Sequence, residues 1–255
     1  MSKPICIVSC PIDTFSGYGA RSRDFVKSLI ASKGEEWDIK ILSQRWGQTP
    51  FGALNESIPE EADLKNRIVG SLTMNLPSRP EVWIQITVPN EFQPVGKYNI
   101  GVTAGIETTI CDPSWIEGCN RMDLVLTSSE HSKKVFESSK FTQQNQMKQV
   151  VKNIELLKPV EVLFEGADLS KYFKATEKID CDVWKDLDTI KEDFCYLLVG
   201  HWLQGDFGED RKNIGYTIKA FLEVFKNKKN KPALVLKVSQ GATSILDREK
   251  NLKKD

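Results

Sequence analysis

Ile5-Cys6-Ile7-Val8-Ser9 is the first patterned stretch of the chain, and the order of the segments after it decides the fold. The run is short, apolar and closed by Pro11, as a strand buried on both faces of a parallel sheet is. Thr14-Phe15-Ser16-Gly17-Tyr18-Gly19 comes next as a glycine-containing loop. Residues 20–32 then carry Phe25, Val26, Leu29 and Ile30 at helical spacing, and Trp37-Asp38-Ile39-Lys40-Ile41-Leu42 reads as a second strand. Strand, glycine loop, helix, strand is the βαβ unit of a parallel α/β sheet.

Working outward, residues 43–79 are weakly patterned and rich in Pro, Gly, Asn and Glu, and read as loop with a short helix. Strands are expected at 82–86, 99–103, 124–127 and 160–164. A helix opens at Pro113, with proline in its first turn, and a second runs over 133–138 behind the cap Ser128-Ser129-Glu130-His131-Ser132. The polar stretch Thr142-Gln143-Gln144-Asn145-Gln146 reads as an interruption. From Asp168 to Asp193 the chain turns polar and acidic. The pattern then restarts: an apolar run from Phe194 to Gly200, a loop over 201–213, an amphipathic helix over 214–225 and a strand over 233–238. The expectation is a first Rossmann-like domain at 1–168, a linker at 169–191 and a second Rossmann-like domain at 192–255. A doubly wound domain needs roughly 100 residues to cover both faces of its sheet. The second is therefore expected to be incomplete.

The chain has 255 residues, 40% apolar and 27% charged, with 35 Lys+Arg balancing 35 Asp+Glu. Such a composition suits a globular protein and gives no general attraction to nucleic acid or anionic membrane. The lysines at 226–231 lack interleaved aromatics and read as a solvated helix end. No stretch approaches the roughly 18 apolar residues of a membrane span, and the N-terminal apolar run is too short for a signal-peptide core. The 6 cysteines, at 6, 10, 111, 119, 181 and 195, form no CxxC pair and read as reduced thiols of a cytoplasmic protein.

Ser16-Gly17-Tyr18-Gly19-Ala20-Arg21-Ser22 is a GxGxxS loop. Its glycines let amide N–H groups at a helix N-terminus face a phosphate, or simply make a tight turn. A dinucleotide site also wants an acid at the end of the second strand, where Leu42-Ser43-Gln44 offers none, so NAD binding is disfavoured. Asp210-Arg211-Lys212-Asn213 puts adjacent cations where a loop meets a helix N-terminus. They oppose the helix dipole unless an anion lies between them. Asp180-Cys181-Asp182 and Asp186-Leu187-Asp188 match a DxD metal pattern, but neither follows a strand, and no metal site is expected. Of the 2 histidines, His131 reads as structural, whereas His201 follows Gly200 in the second loop.

In order and spacing these segments resemble the two-Rossmann-domain (GT-B) glycosyltransferases, in particular the retaining nucleotide-sugar enzymes of glycosyltransferase family 4. The resemblance runs from Ile5 to about Ser239 and rests on several stretches. They are Ser16-Gly17-Tyr18-Gly19; Gly105-Ile106-Glu107-Thr108 with Pro113-Ser114-Trp115, Cys119-Asn120 and Met122-Asp123; Ser128 to Ser132; and Glu165-Gly166-Ala167-Asp168 with Phe173. Leu198-Val199-Gly200, Arg211-Lys212-Asn213 and Ala220-Phe221 look like the opening of the donor domain. The resemblance implies an enzyme that moves a sugar from a nucleoside-diphosphate sugar to a glycan, lipid or protein acceptor, without a metal or other cofactor. The acceptor would bind the first domain, at the loop of Gly17, Tyr18 and Gly19, with Glu107 as the carried-over catalytic residue. The donor diphosphate would bind Gly200, His201, Arg211 and Lys212. The chain departs from the family in having His201 where an arginine is usual, and the family's paired donor-site glutamates would lie beyond residue 255. The alternative is a non-catalytic glycosyltransferase-like binding or assembly protein, with a partner that completes the second domain.

Overall fold

The computed structural model describes residues 3–47, 49–70, 79–169, 172–174, 182–202, 210 and 212–239. It divides into two compact units, Met1–Leu169 and Ser170–Asp255.

The first unit is a mixed α/β structure built on a parallel sheet of 6 strands, compatible with a Rossmann-like domain. Its elements are β1 (Ile5–Cys10), α1 (Gly17–Lys33), β2 (Asp38–Ser43), α2 (Pro59–Asn66), β3 (Val82–Ile86), β4 (Tyr98–Thr103), α3 (Pro113–Asn120), β5 (Leu124–Thr127), α4 (Glu130–Ser138), β6 (Phe141–Gln144), β7 (Val150–Ile154) and β8 (Val160–Val162). The strand order is β2-β1-β3-β4-β5-β8, all parallel. Strand succession reverses between β1 and β3, and in open α/β sheets that switch point opens a crevice at the carboxyl ends of the strands.

Side-chain alternation along β1 sorts the core into two layers. Cys6, Val8 and Cys10 join Val26 of α1, Leu64 of α2 and Ile84 and Ile86 of β3 on one face. Ile7 joins Trp83, Ile116 and Cys119 of α3, and Val135 and Phe136 of α4 on the other. Each fully buried Ile, Val or Phe contributes about 1.5–3 kcal/mol relative to exposure. Both faces are covered, which is why these strands read as continuous apolar runs.

In the first unit two sequence expectations differ from the structure. The last strand of the sheet ends at Val162 rather than 164. The stretch read as an interruption is an antiparallel hairpin, β6 with β7. Its turn is held by the Asn145 side-chain oxygen, which accepts from Met147 N (2.9 Å) and Gln149 N (3.0 Å), with Lys148 at φ 59°. Ile154 anchors its base in the core, and an Asn120–Glu155 hydrogen bond and a Lys152–Glu117 ion pair tie it to α3.

The second unit contains α5 (Asp182–Leu187), inside the stretch read as linker, then β9 (Cys195–His201), α6 (Ile214–Phe225) and β10 (Ala233–Ser239). β9 and β10 pair in parallel through the α6 crossover. Tyr196 of β9 lies 6.1 Å from the Phe221 ring and 5.9 Å from the Phe225 ring. Leu197 and Val199 alternate with it and stay 65% and 63% exposed. Among the described residues, no helix is long and apolar enough to cross a membrane.

Candidate functional site

The loop after β1 is built to hold one shape. Thr14 N and Oγ1 both donate to Pro11 O (3.2 and 2.9 Å), and the Thr14 and Ser16 hydroxyls lie 2.8 Å apart. Arg23, reaching back from α1, donates to Ile12 O (2.9 Å) and Thr14 O (3.0 Å). Ser16 is the N-cap of α1, its Oγ accepting from Gly19 N at 2.9 Å. The two glycines of the loop therefore differ. A Cβ on Gly19 would lie 2.2 Å from Thr14 O, so this glycine is needed for close packing and its amide is already used by the cap. A Cβ on Gly17 would meet nothing within 4 Å, so Gly17 alone of the two presents open backbone.

Tyr18 spans the sheet edge. Its hydroxyl exchanges a hydrogen bond with Thr103 Oγ1 (3.1 Å) at the end of β4 and accepts from Ala104 N (3.1 Å), bridging across β3. Burial raises the phenol above its ordinary pKa; the hydrogen bonds oppose the rise, and the nearby carboxylates of Glu165 and Glu107 add to it. The ring stacks on Trp46, which lies beyond β2, with centroids 4.0 Å apart and planes at 23°. Around this pair the segment after β2 clamps the first loop: Phe15 N donates to Pro50 O (3.1 Å), Thr14 bridges to Phe51, and Leu54 N donates to Asp13 Oδ1 (2.8 Å). Phe15 and Phe51 remain 63% and 48% exposed.

The loop after β4 carries Glu107, which is exposed. Gly105 turns it at φ 85°, and a Cβ there would strike Ser132 Oγ at 2.1 Å. Ser132, in the first turn of α4, accepts from Ile106 N at 3.3 Å, and Ser128 Oγ donates to Ala104 O at 2.8 Å. The serine motif thus holds the Glu107 loop as well as capping α4. His131 is exposed, with Nε2 3.2 Å from Thr108 O. After β8 the chain turns toward α1, where Arg21 donates to Leu163 O (3.0 Å) and pairs with Glu165 (3.7 Å). A cleft of about 390 Å³ lies here between α1 and residues 163–168, lined by Arg21, Phe25, Lys27, Phe164 and Asp168 among others.

The structure therefore brings Gly17, Tyr18, Gly19, Glu107, Ser132 and Glu165 to the carboxyl ends of one sheet. Sequence reasoning misses Trp46, Arg21 and Arg23. Trp46 stands in a stretch without period, Arg23 acts through backbone carbonyls, and Arg21 acts through the Leu163 carbonyl and the distant Glu165 carboxylate, which no spacing reveals.

In the second unit, Gly200, the residue before the last of β9, lies close to the stem of Lys212: a Cβ on Gly200 would lie 3.7 Å from Lys212 Cγ. Lys212 is exposed. Arg211 and the His201 side chain lie outside the described residues. Asp210 is buried and accepts from Lys212 N (3.1 Å) and Ile214 N (2.8 Å), so a carboxylate already occupies amides at the start of α6. Asn213, at φ 51°, makes the turn between them. Of the DxD matches, Asp180 and Cys181 lie outside the described residues, and Asp186 and Asp188 lie in and just after α5. No protein-family model matches the chain, and no curated protein matches it either.

Proposed function

We propose that the chain is a cytoplasmic glycosyltransferase of the GT-B kind, moving a sugar from a nucleoside-diphosphate sugar to an acceptor without a metal. The observation that carries the reading is the convergence of the glycine loop, the Gly105–Glu107 loop, the Ser128–Ser132 cap and the Glu165 turn at the carboxyl edge of one parallel sheet. In this scheme the first unit takes the acceptor at Gly17 and Tyr18, with Glu107 accepting a proton from the attacking hydroxyl. The second unit, read as the start of a Rossmann-like donor domain, takes the nucleotide sugar beside Gly200 and His201. Because Asp210 already occupies amides of α6, the departing diphosphate is met by the Arg211 and Lys212 side chains. Cationic stabilisation of a leaving anion is worth about a hundredfold in rate or more. Buried free thiols at Cys6, Cys10, Cys111 and Cys119 accord with a reducing compartment.

The test is release of nucleoside diphosphate from a panel of sugar nucleotides. Arg211→Ala with Lys212→Ala is expected to lower the rate by about a hundredfold or more, and Glu107→Gln to lower acceptor-dependent turnover. Undiminished release in the double variant would remove those residues from the mechanism. A second reading, a non-catalytic assembly protein, is favoured by the exposed Leu197 and Val199 face of β9. It expects no release with any donor, and a partner chain recovered on that face.

A further inference from the structure

The balanced charge of the whole chain hides a local excess in the second unit. Over residues 212–239 lysine recurs and Glu223 is the only acid, 3.9 Å from Lys219 one turn away on α6. The turn from α6 to β10 carries Lys226, Lys228, Lys229 and Lys231, all exposed. Among the described residues none of the four has an ion-pair partner. Lys228 N donates to Phe225 O (3.1 Å), which folds the turn against the end of the helix. Apolar side chains left in water stand at the same end. Leu222 and Val224, in the last turn of α6, are 61% and 58% exposed. Phe194, whose carbonyl accepts from Ala233 N (2.9 Å) at the start of β10, is 60% exposed. This is the amino end of the two paired strands, and Gly200 stands at the other. Glu192 and Asp193 precede Phe194 with Lys191 beside them, so the end keeps a positive excess.

We infer that this end of the second unit docks on an anionic lipid surface, with the lysines against the headgroups and Leu222, Val224 and Phe194 at the acyl boundary. The chemistry selects the partner. Each lysine near an anionic bilayer is worth roughly a fivefold gain in partition. A basic cluster and exposed apolar side chains are two separate signals, and reversible attachment becomes firm when two act together. A neutral bilayer offers the lysines no counter-charge. Nucleic acid shares the negative charge, but single strands are held by stacking on open aromatic rings. Here the rings of Tyr196, Phe221 and Phe225 lie within 6.1 Å of one another and are spent on their own packing. Leu222 and Val224 would stay in water against a phosphate backbone, whereas a bilayer removes them from it. The surface does not depend on whether the chain transfers a sugar.

The experiment is cosedimentation of the full chain with vesicles, of phosphatidylcholine alone and of phosphatidylcholine with about one third phosphatidylserine. The expected result is binding to the second and not the first, falling steeply as salt rises from about 0.1 M to 0.5 M and shortens the screening length. Lys226→Gln, Lys228→Gln, Lys229→Gln and Lys231→Gln together lower the partition about a hundredfold or more. The same positions changed to Arg keep the charge and stay within a few-fold of wild type, which holds the test should the glutamine set misfold by circular dichroism. Leu222→Ala with Val224→Ala loses a few-fold. The inference is overturned if phosphatidylserine vesicles are not bound, or if the folded glutamine variant binds as wild type does. It is also overturned if a short DNA duplex binds more tightly than the vesicles, which would make this a nucleic-acid surface. Vesicle binding is read without a sugar nucleotide, so it succeeds or fails apart from diphosphate release.

Discussion

Gly17 and Gly19 stand two positions apart at the start of one helix, yet they answer to different forces. A methyl group on Gly19 would overlap a backbone carbonyl that Arg23 also holds, so neither side can give way cheaply. Gly19→Ala is expected to destabilise the protein by about 1–3 kcal/mol, the usual range for overpacking, as a lowered urea midpoint. Gly17→Ala meets open space, and its stability should change by less than about 1 kcal/mol. If Gly17 faces the acceptor, that variant should still raise the acceptor KM. Asp123 makes a second prediction at this scale. Its carboxylate accepts from Asn99 N (2.8 Å) and Nδ2 (3.0 Å), and these hydrogen bonds hold its pKa below the ordinary Asp value. A depressed folded-state pKa contributes stability above the unfolded value of about 3.9 and loses it as pH falls through the folded value. The melting-temperature gap between wild type and Asp123→Ala should therefore be full at pH 6 and shrink below pH 4. A gap that stays constant to pH 2 would show that the ionised carboxylate is not what matters.

At the scale of elements, α6 depends on a residue outside it. Asp210 is buried, and its two oxygens satisfy Lys212 N and Ile214 N where the helix begins. Asp210→Ala should cost about 1–2 kcal/mol, seen as faster amide exchange through α6, while Asp210→Asn keeps part of the cap. Equal exchange in both variants and wild type would refute the cap. In the sequence this Asp is one member of a charged loop, because a buried carboxylate and an exposed one look alike without coordinates. Elements that bury both faces were legible: β1, β3 and β5 announce themselves as apolar runs, and α1 by its spacing. The β6–β7 hairpin was not, because all but its first and last residues are exposed and hydrophobicity has nothing to report. Its cue is chemical, Asn145 folding its side chain back on its own turn. The site was legible as separate motifs. Their meeting was not, since Tyr18 to Thr103 and Ser132 to Ile106 are contacts across the fold that local spacing cannot encode.

At the scale of the whole molecule, apolar burial is divided unevenly. Both core clusters lie within the first unit, which has helices on each face of its sheet. In the second unit, Ile214 is the buried apolar side chain among the described residues, while Phe194, Leu197, Val199, Leu222 and Val224 are exposed. A two-stranded sheet crossed by α6, as the described residues form it, is marginal by itself, because stability at roughly 25 cal/mol per Å² needs apolar area to leave water. Residues 1–169 produced alone should therefore unfold cooperatively, with the buried thiols Cys6, Cys10 and Cys119, pushed up to about 12 by burial, unreactive at pH 8 until the transition. Residues 170–255 produced alone should show no cooperative transition, and the exposed Cys195 should react at once. A sharp melt from the second piece would mean that its sheet finds a core of its own, and the exposed β9 face could then no longer be read as a surface that awaits a partner.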